Sequence, residues 1–202
     1  MKRVWMKSWL CVSLALAMQG RSAQVTPQKA STGAPHTTVR RGVNETLLAG
    51  LRPGRDTLAM AEKRFKLKSR AESQESGIKE WRDDCSGRSI RLELDAKSTI
   101  QSVTITTLGF QEGKCGDKRV EFLDPKNWVT GVGLRIGDPQ DRIIDFYGEP
   151  NASGPAAKNG QELELMSYQF DWAGSDVPQA MEVLCARDTG RVVEITLAFP
   201  SS

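Results

Sequence analysis

Apolar residues alternate with polar ones in four short stretches of the chain. Ile90, Leu92 and Leu94 share one parity, as do Val103 and Ile105, then Tyr168, Phe170 and Trp172, then Val193, Ile195 and Leu197. A period of two puts each set on one face of a strand. Two other stretches have helical spacing: Leu58, Met60, Ala61 and Phe65, and Ile143, Ile144 and Tyr147. Asp56 or Thr57 opens the first of these helices. For the second, Asp138 fits the N-cap, Pro139 the first helical position and Asp141 the first turn. Gly148 and Pro150 then stop it. A short helix from Asn44 to Ala49 is expected ahead of the first, with Val129 to Val132 as its weaker counterpart ahead of the second. Asp188-Thr189-Gly190 reads as a hairpin turn, and the polar stretch 151–160 (NASGPAAKNG) as a loop.

The elements recur in order. Leu51-Arg52-Pro53-Gly54 and Leu134-Arg135-Ile136-Gly137 each precede a short amphipathic helix, and the stretches 95–105 and 187–197 are similar tails. This pattern predicts an α+β fold of two tandem repeats, each with short helices packed on an antiparallel β-sheet. The expected units are residues 43–110 and 129–200, joined by a connector over 111–128.

The N-terminus is of another kind. Lys2, Arg3 and Lys7 precede an apolar run from Leu10 to Met18, and a polar stretch closes it. That order is the one a secretory signal peptide needs. The run is too short for a membrane anchor, which takes about twenty apolar residues. We place the signal at residues 1–23, although Ala15-Leu16-Ala17 also satisfies the small-residue rule for cleavage. Residues 24–42 are rich in Pro, Thr, Ser and Gly and are expected to form a disordered linker. Export to the periplasm or outside the cell, as a soluble protein without a transmembrane span, follows as an expectation.

Removing the signal changes the charge. The full chain has 28 basic and 25 acidic residues, and residues 1–23 hold Lys2, Arg3, Lys7 and Arg21 but no acid. What remains has a net charge of −1, without the broad positive field that nucleic-acid binding uses. Nucleic acid is therefore not an expected partner.

The stretch Gly137-Asp138-Pro139, Ile143-Ile144, Tyr147-Gly148-Glu149-Pro150 resembles the signature that opens the helical part of the small outer-membrane assembly lipoproteins. It is also similar to that of the tandem-repeat β-lactamase-inhibitor-type proteins. The first unit keeps Gly54 and the apolar helix but lacks Tyr-Gly-x-Pro. The resemblance implies a helix–helix–sheet fold, and a secreted or periplasmic module that sets the open face of its sheet on another protein. No lipidation cysteine accompanies it, which departs from the lipoprotein branch.

The chemistry available to an enzyme is thin. The single histidine, His36, falls in the linker, so no histidine base can be positioned beside a nucleophile. The cysteines and histidine are too scattered for a zinc site, and no phosphate-binding loop is present. Gly131, Gly133 and Gly137 have the wrong spacing for a dinucleotide fingerprint and fit a turn before a helix. Asp138, Asp141 and Asp145 share a helix face, and Asp83 and Asp84 stand just before Cys85. Both sets are read first as capped or solvated polar positions. No catalytic residue, metal or cofactor is expected.

Three cysteines lie beyond the signal. Cys85 and Cys115, in Gly-flanked polar turns, are the candidate disulfide. The alternative leaves all three free. Cys185, in the apolar run MEVLCA, reads as a buried strand thiol. The basic run Lys63, Arg64, Lys66, Lys68 and Arg70 fits a helix C-terminus, where cations complement the dipole. Its other reading is contact with anionic lipid or cell wall. Trp81, Tyr168 and Trp172 are the candidate protein-binding residues, since such side chains dominate interfaces. Their other reading is core, and Trp128 shares that choice. The expected function is a non-enzymatic, exported protein-binding or envelope-assembly module using the open sheet face. The alternative is a structural envelope protein that contacts anionic lipid or cell wall through residues 63–70.

Overall fold

The computed structural model describes residues 43–66, 77–83, 86–109, 125–171 and 179–199. Residues 1–42 lie outside these, so the signal peptide, the linker and His36 do as well.

Strand-forming sequence dominates. Seven strands are present: β1 (Ile78–Asp83), β2 (Arg88–Leu94), β3 (Ile100–Thr106), β4 (Ala152–Lys158), β5 (Gln161–Phe170), β6 (Gln179–Ala186) and β7 (Arg191–Ala198). They form one sheet in the order β1-β2-β3-β7-β6-β5-β4, and every neighbouring pair is antiparallel. Only two short α-helices accompany it among the described residues, α1 (Leu58–Phe65) and α2 (Asp141–Tyr147), with a 3-10 turn at Pro125–Asn127. The expected α+β fold of two repeats, each with helices packed on its own sheet, is therefore corrected to a single seven-stranded antiparallel sheet. The reason is the seam: β3 pairs directly with β7 from Ser102↔Ala198 to Thr106↔Glu194. Hydrogen bonding along that seam joins into one sheet the strands that the sequence pattern had divided between two units.

Three further expectations are corrected locally. Residues 43–47 have no regular secondary structure rather than a helix, and Leu48 pairs with Leu51 and Thr130. Val129 pairs with Arg135 across a turn, so 129–132 is no helix. The polar stretch 151–160 is not a loop: residues 152–158 are β4, turned into β5 at Asn159-Gly160, both with positive φ (51° and 77°). That conformation is the one a tight two-residue hairpin demands, and Asn-Gly satisfies it.

One face of the sheet carries the core. Ile90, Leu92, Val103, Ile105, Met181, Val183, Ile195 and Leu197 are all fully buried there. Each such side chain contributes about 1.5–3 kcal/mol of burial. Ala61 and Phe65 of α1, and Ile143 and Tyr147 of α2, join the same cluster. Met60 and Ile144 instead face outward. In β7 the expected alternation slips. A bulge between Leu184 and Cys185 turns Val192, not Val193, into the core. The start of α2 also differs. Its N-cap is Gln140, while Asp138 accepts a hydrogen bond from the Arg135 amide. No helix of the described residues is long and apolar enough to cross a membrane.

Candidate functional site

The sheet has a second face, and its register defines it. Running from β1 to β4, Glu80, Arg91, Thr104, Thr196, Glu182, Ser167 and Ala152 are successive Cα partners. No side chain in this central row is apolar and larger than alanine. The flanking row through Arg82, Ser89, Thr106 and Glu194 continues into Leu184 and Leu165. The other flank runs Ile78, Glu93, Ser102, Ala198, Ala180 and Gln169. Both helices contribute to the core on the opposite side. Glu93, Glu182 and Gln169 are exposed, and Arg91, Thr104, Thr196 and Ser167 are half-buried.

The β4–β5 hairpin shapes this face. Its tip bends over the sheet, so that Lys158 donates to both carboxylate oxygens of Glu194 on β7, at 2.9 and 2.6 Å. Asn159 donates to the Leu108 carbonyl just past β3. Beneath the bend, Leu108, Leu163 and Ala186 form a small second core with Leu184 and Val193. Between the bent tip and β1–β3 lies a cleft of about 280 Å³. Arg82, Arg88, Arg91 and Lys158 line it, together with Glu80, Asp83, Ser89, Thr104, Thr106 and Asn159. Gly87 and Gly109 meet at its end, where the Gly109 amide donates to the Gly87 carbonyl at 2.8 Å. A Cβ at Gly109 would come within 2.7 Å of that oxygen. Arg91 gives one N–H to Glu93 at 3.1 Å, and its Nε is buried with no acceptor among the described residues.

The residues singled out from the sequence lie elsewhere. Trp81 and Tyr168 are 5% and 2% exposed and sit in the main core, not on an open face. Tyr168 packs against Tyr147 and Phe170, and donates to the Gly148 carbonyl. Trp128 is also core. Trp172 lies outside the described residues, as do Lys68, Arg70, Cys85, Cys115 and Asp84. Lys63 and Lys66 are exposed at the end of α1. Arg64 is used as a strut, with its Nε donating to the Ala49 carbonyl at 3.0 Å. Asp141 and Asp145 are exposed on α2, while Asp138 pairs with Arg142 at 3.6 Å. Cys185 is a fully buried free thiol. Burial, helped by the charge of Glu164, pushes it up to about 11. Burial first, then Glu149, likewise raises Tyr168 to about 12.

One buried polar group had no sequence signal strong enough to find it. Glu45 is 1% exposed and accepts hydrogen bonds from the amides of Thr46, Leu47, Gly131 and Val132 and from the Tyr147 hydroxyl. Tyr147 also shares a hydrogen bond with Thr130 at 2.7 Å. Burial first, then the Glu45 charge, raises the Tyr147 hydroxyl above its ordinary value. This network ties the segment 43–47 to the turn at Thr130–Gly133 and to α2. The Tyr147-Gly148 pair thus serves as a structural joint between α2 and the sheet.

No protein-family model matches the chain, and no curated protein matches it. Among solved structures it is similar to a DUF4309 family protein from Bacillus subtilis, at 11% identity and a TM-score of 0.42, over 75% of this chain and 83% of that one. It is also similar to a cysteine-rich secretory protein from Staphylococcus aureus, at 14% identity and a TM-score of 0.38, over 71% of this chain and 42% of that one. Likenesses this distant carry neither fold nor function across to this chain.

Proposed function

We propose that this chain is an exported, non-enzymatic binding module that engages a partner protein with the polar face of its sheet. The observation that supports the reading is the central row from Glu80 to Ala152, a broad surface of small and charged side chains opposite the main core. Seven hydrogen-bonded strands hold that surface rigid, so little order is lost on docking. The charged-then-apolar order at residues 1–18 supports export.

The role first assigned to Trp81 and Tyr168, which are buried in the core, passes to Arg91, Thr104, Thr196, Glu182 and Ser167. Affinity capture from an envelope extract of the native host tests the reading. The bait is compared with its Glu182→Arg variant, which puts a bulky charge in the central row, and with Asp145→Arg on α2. A protein retained by the unaltered bait and by Asp145→Arg, but not by Glu182→Arg, supports the reading. Equal retention by all three contradicts it.

A further inference from the structure

We propose that the cleft beside the hairpin tip receives a single acidic side chain of the partner, held by Arg91 with Arg82 on the same face. This rests on the binding reading above and adds the chemistry by which one partner residue is recognised. Arg91 stands in the central row of the polar face, between Glu80 and Thr104. A guanidinium offers five N–H donors in a fixed fork. Glu93 takes one of them at 3.1 Å, and the Arg91 Nε is buried without an acceptor among the described residues. The Arg91 side chain is 44% exposed, so an arriving anion reaches its remaining Nη–H groups rather than the enclosed Nε. Arg82, on β1, lines the same cleft from the same face, and the Thr104 side chain stands next to Arg91.

The rest of the lining selects the kind of anion. Lys158 is already neutralised by both oxygens of Glu194, so it acts as a wall. Glu80 lines the cleft on the same face as Arg82 and Arg91 and offsets one of their charges, which disfavours a multiply charged phosphate. A carboxylate carries one charge, and its two oxygens match the guanidinium fork. The cleft, at about 280 Å³, has room for a Glu or Asp side chain and its first waters.

The test follows the Nε–H resonances of Arg82 and Arg91 by NMR in the purified protein at constant ionic strength. The probe is acetyl-Gly-Glu-Gly-amide, with the Gln counterpart and inorganic phosphate as comparisons. We expect the Arg91 resonance to shift saturably with the Glu peptide and not with the Gln peptide, while that of Arg142, exposed on α2, stays put. Arg91→Lys, which keeps the charge but loses the fork, should weaken the response of Arg82 to the Glu peptide about fivefold or more while the amide spectrum stays folded. A linear, unsaturating shift, or equal shifts with both peptides, overturns the proposal. So does phosphate binding more tightly than the Glu peptide. If the peptide fails while Glu182→Arg still abolishes capture, the cleft is wrong and the face stands. If capture is indifferent to Glu182→Arg, the underlying reading fails instead.

Discussion

Thr104 and Thr196 share a hydrogen bond of 2.9 Å between their hydroxyls across the β3–β7 seam, 92 residues apart in the chain. They are also Cα partners, and each falls at the same place in one of the two similar tails, 95–105 and 187–197. The pair sits in the middle of the polar face and marks where the two halves of the sheet are joined. Cross-strand threonines of this kind contribute about 0.2–1 kcal/mol. Thr104→Val and Thr196→Val should each cost about 0.5–1 kcal/mol, because the remaining hydroxyl loses its partner. The double variant should cost less than the sum, since two valines suit a strand well. Urea unfolding of the four proteins measures the coupling, and strict additivity would show that the hydroxyls do not interact.

Glu45 should be the most costly polar side chain to change. Glu45→Gln replaces one acceptor oxygen with a donor that faces amides already donating. The loss should be about 2–4 kcal/mol in urea unfolding. Tyr147→Phe, which removes a single donor to Glu45, should cost less, about 1–2 kcal/mol. Gly131→Ala brings a methyl within 2.7 Å of the Glu45 carboxylate and should destabilise through the same joint.

Trp81 separates core from interface directly. Its indole N–H is buried without an acceptor among the described residues, so Trp81→Phe gives up little and should stay within about 1.5 kcal/mol of the parent. Trp81→Ala should cost about 3–5 kcal/mol as a core cavity forms. Thermal unfolding of both variants decides the matter. A Trp81→Ala protein that melts like the parent would mean the side chain is not core.

Alkaline pH should weaken the fold from the buried acids. Cys185 loses its proton near 9 when unfolded and near 11 when folded, so the fold favours the neutral thiol. Its contribution is complete below pH 9 and is lost as the pH rises from 9 to 11. Tyr168, raised from 10 to about 12, adds the same effect one unit higher. Stability measured in urea from pH 7 to 11 should be level at first and then fall, by about 2 kcal/mol from the thiol alone. Cys185→Ala should flatten the portion between pH 9 and 11. An unchanged slope in that variant would assign the fall to other groups.

The strands were legible because alternation survives any tertiary context that buries one face. Ile90, Leu92, Val103, Ile105, Ile195 and Leu197 all occupy the core side as their parity requires. Their pairing was not legible. Parity says which face a residue takes, but not that β3 would choose β7 across 92 residues, and that choice is what merges the sheet. The hairpin strand β4 was overlooked because Ala, Gly and Pro are poor strand formers, although Asn159-Gly160 is a strong turn signal. The aromatics drew attention for a sound reason, since their composition fits an interface as well as a core. Register decided between the two: Trp81 pairs with Ile90 and Tyr168 with Met181, both core residues. The polar face itself was invisible beforehand, because Thr104, Glu182 and Ser167 meet only once the register is known.

The most direct test of the account is carbodiimide labelling of surface carboxylates, with and without the protein retained in the capture experiment. Glu93 and Glu182 are exposed on the polar face, and Asp141 and Asp145 are exposed on α2. The partner should slow labelling of Glu93 and Glu182 several-fold and leave Asp141 and Asp145 unchanged. Protection of Asp141 and Asp145, with Glu93 and Glu182 labelled at their free rate, would place the partner away from the polar face and contradict it.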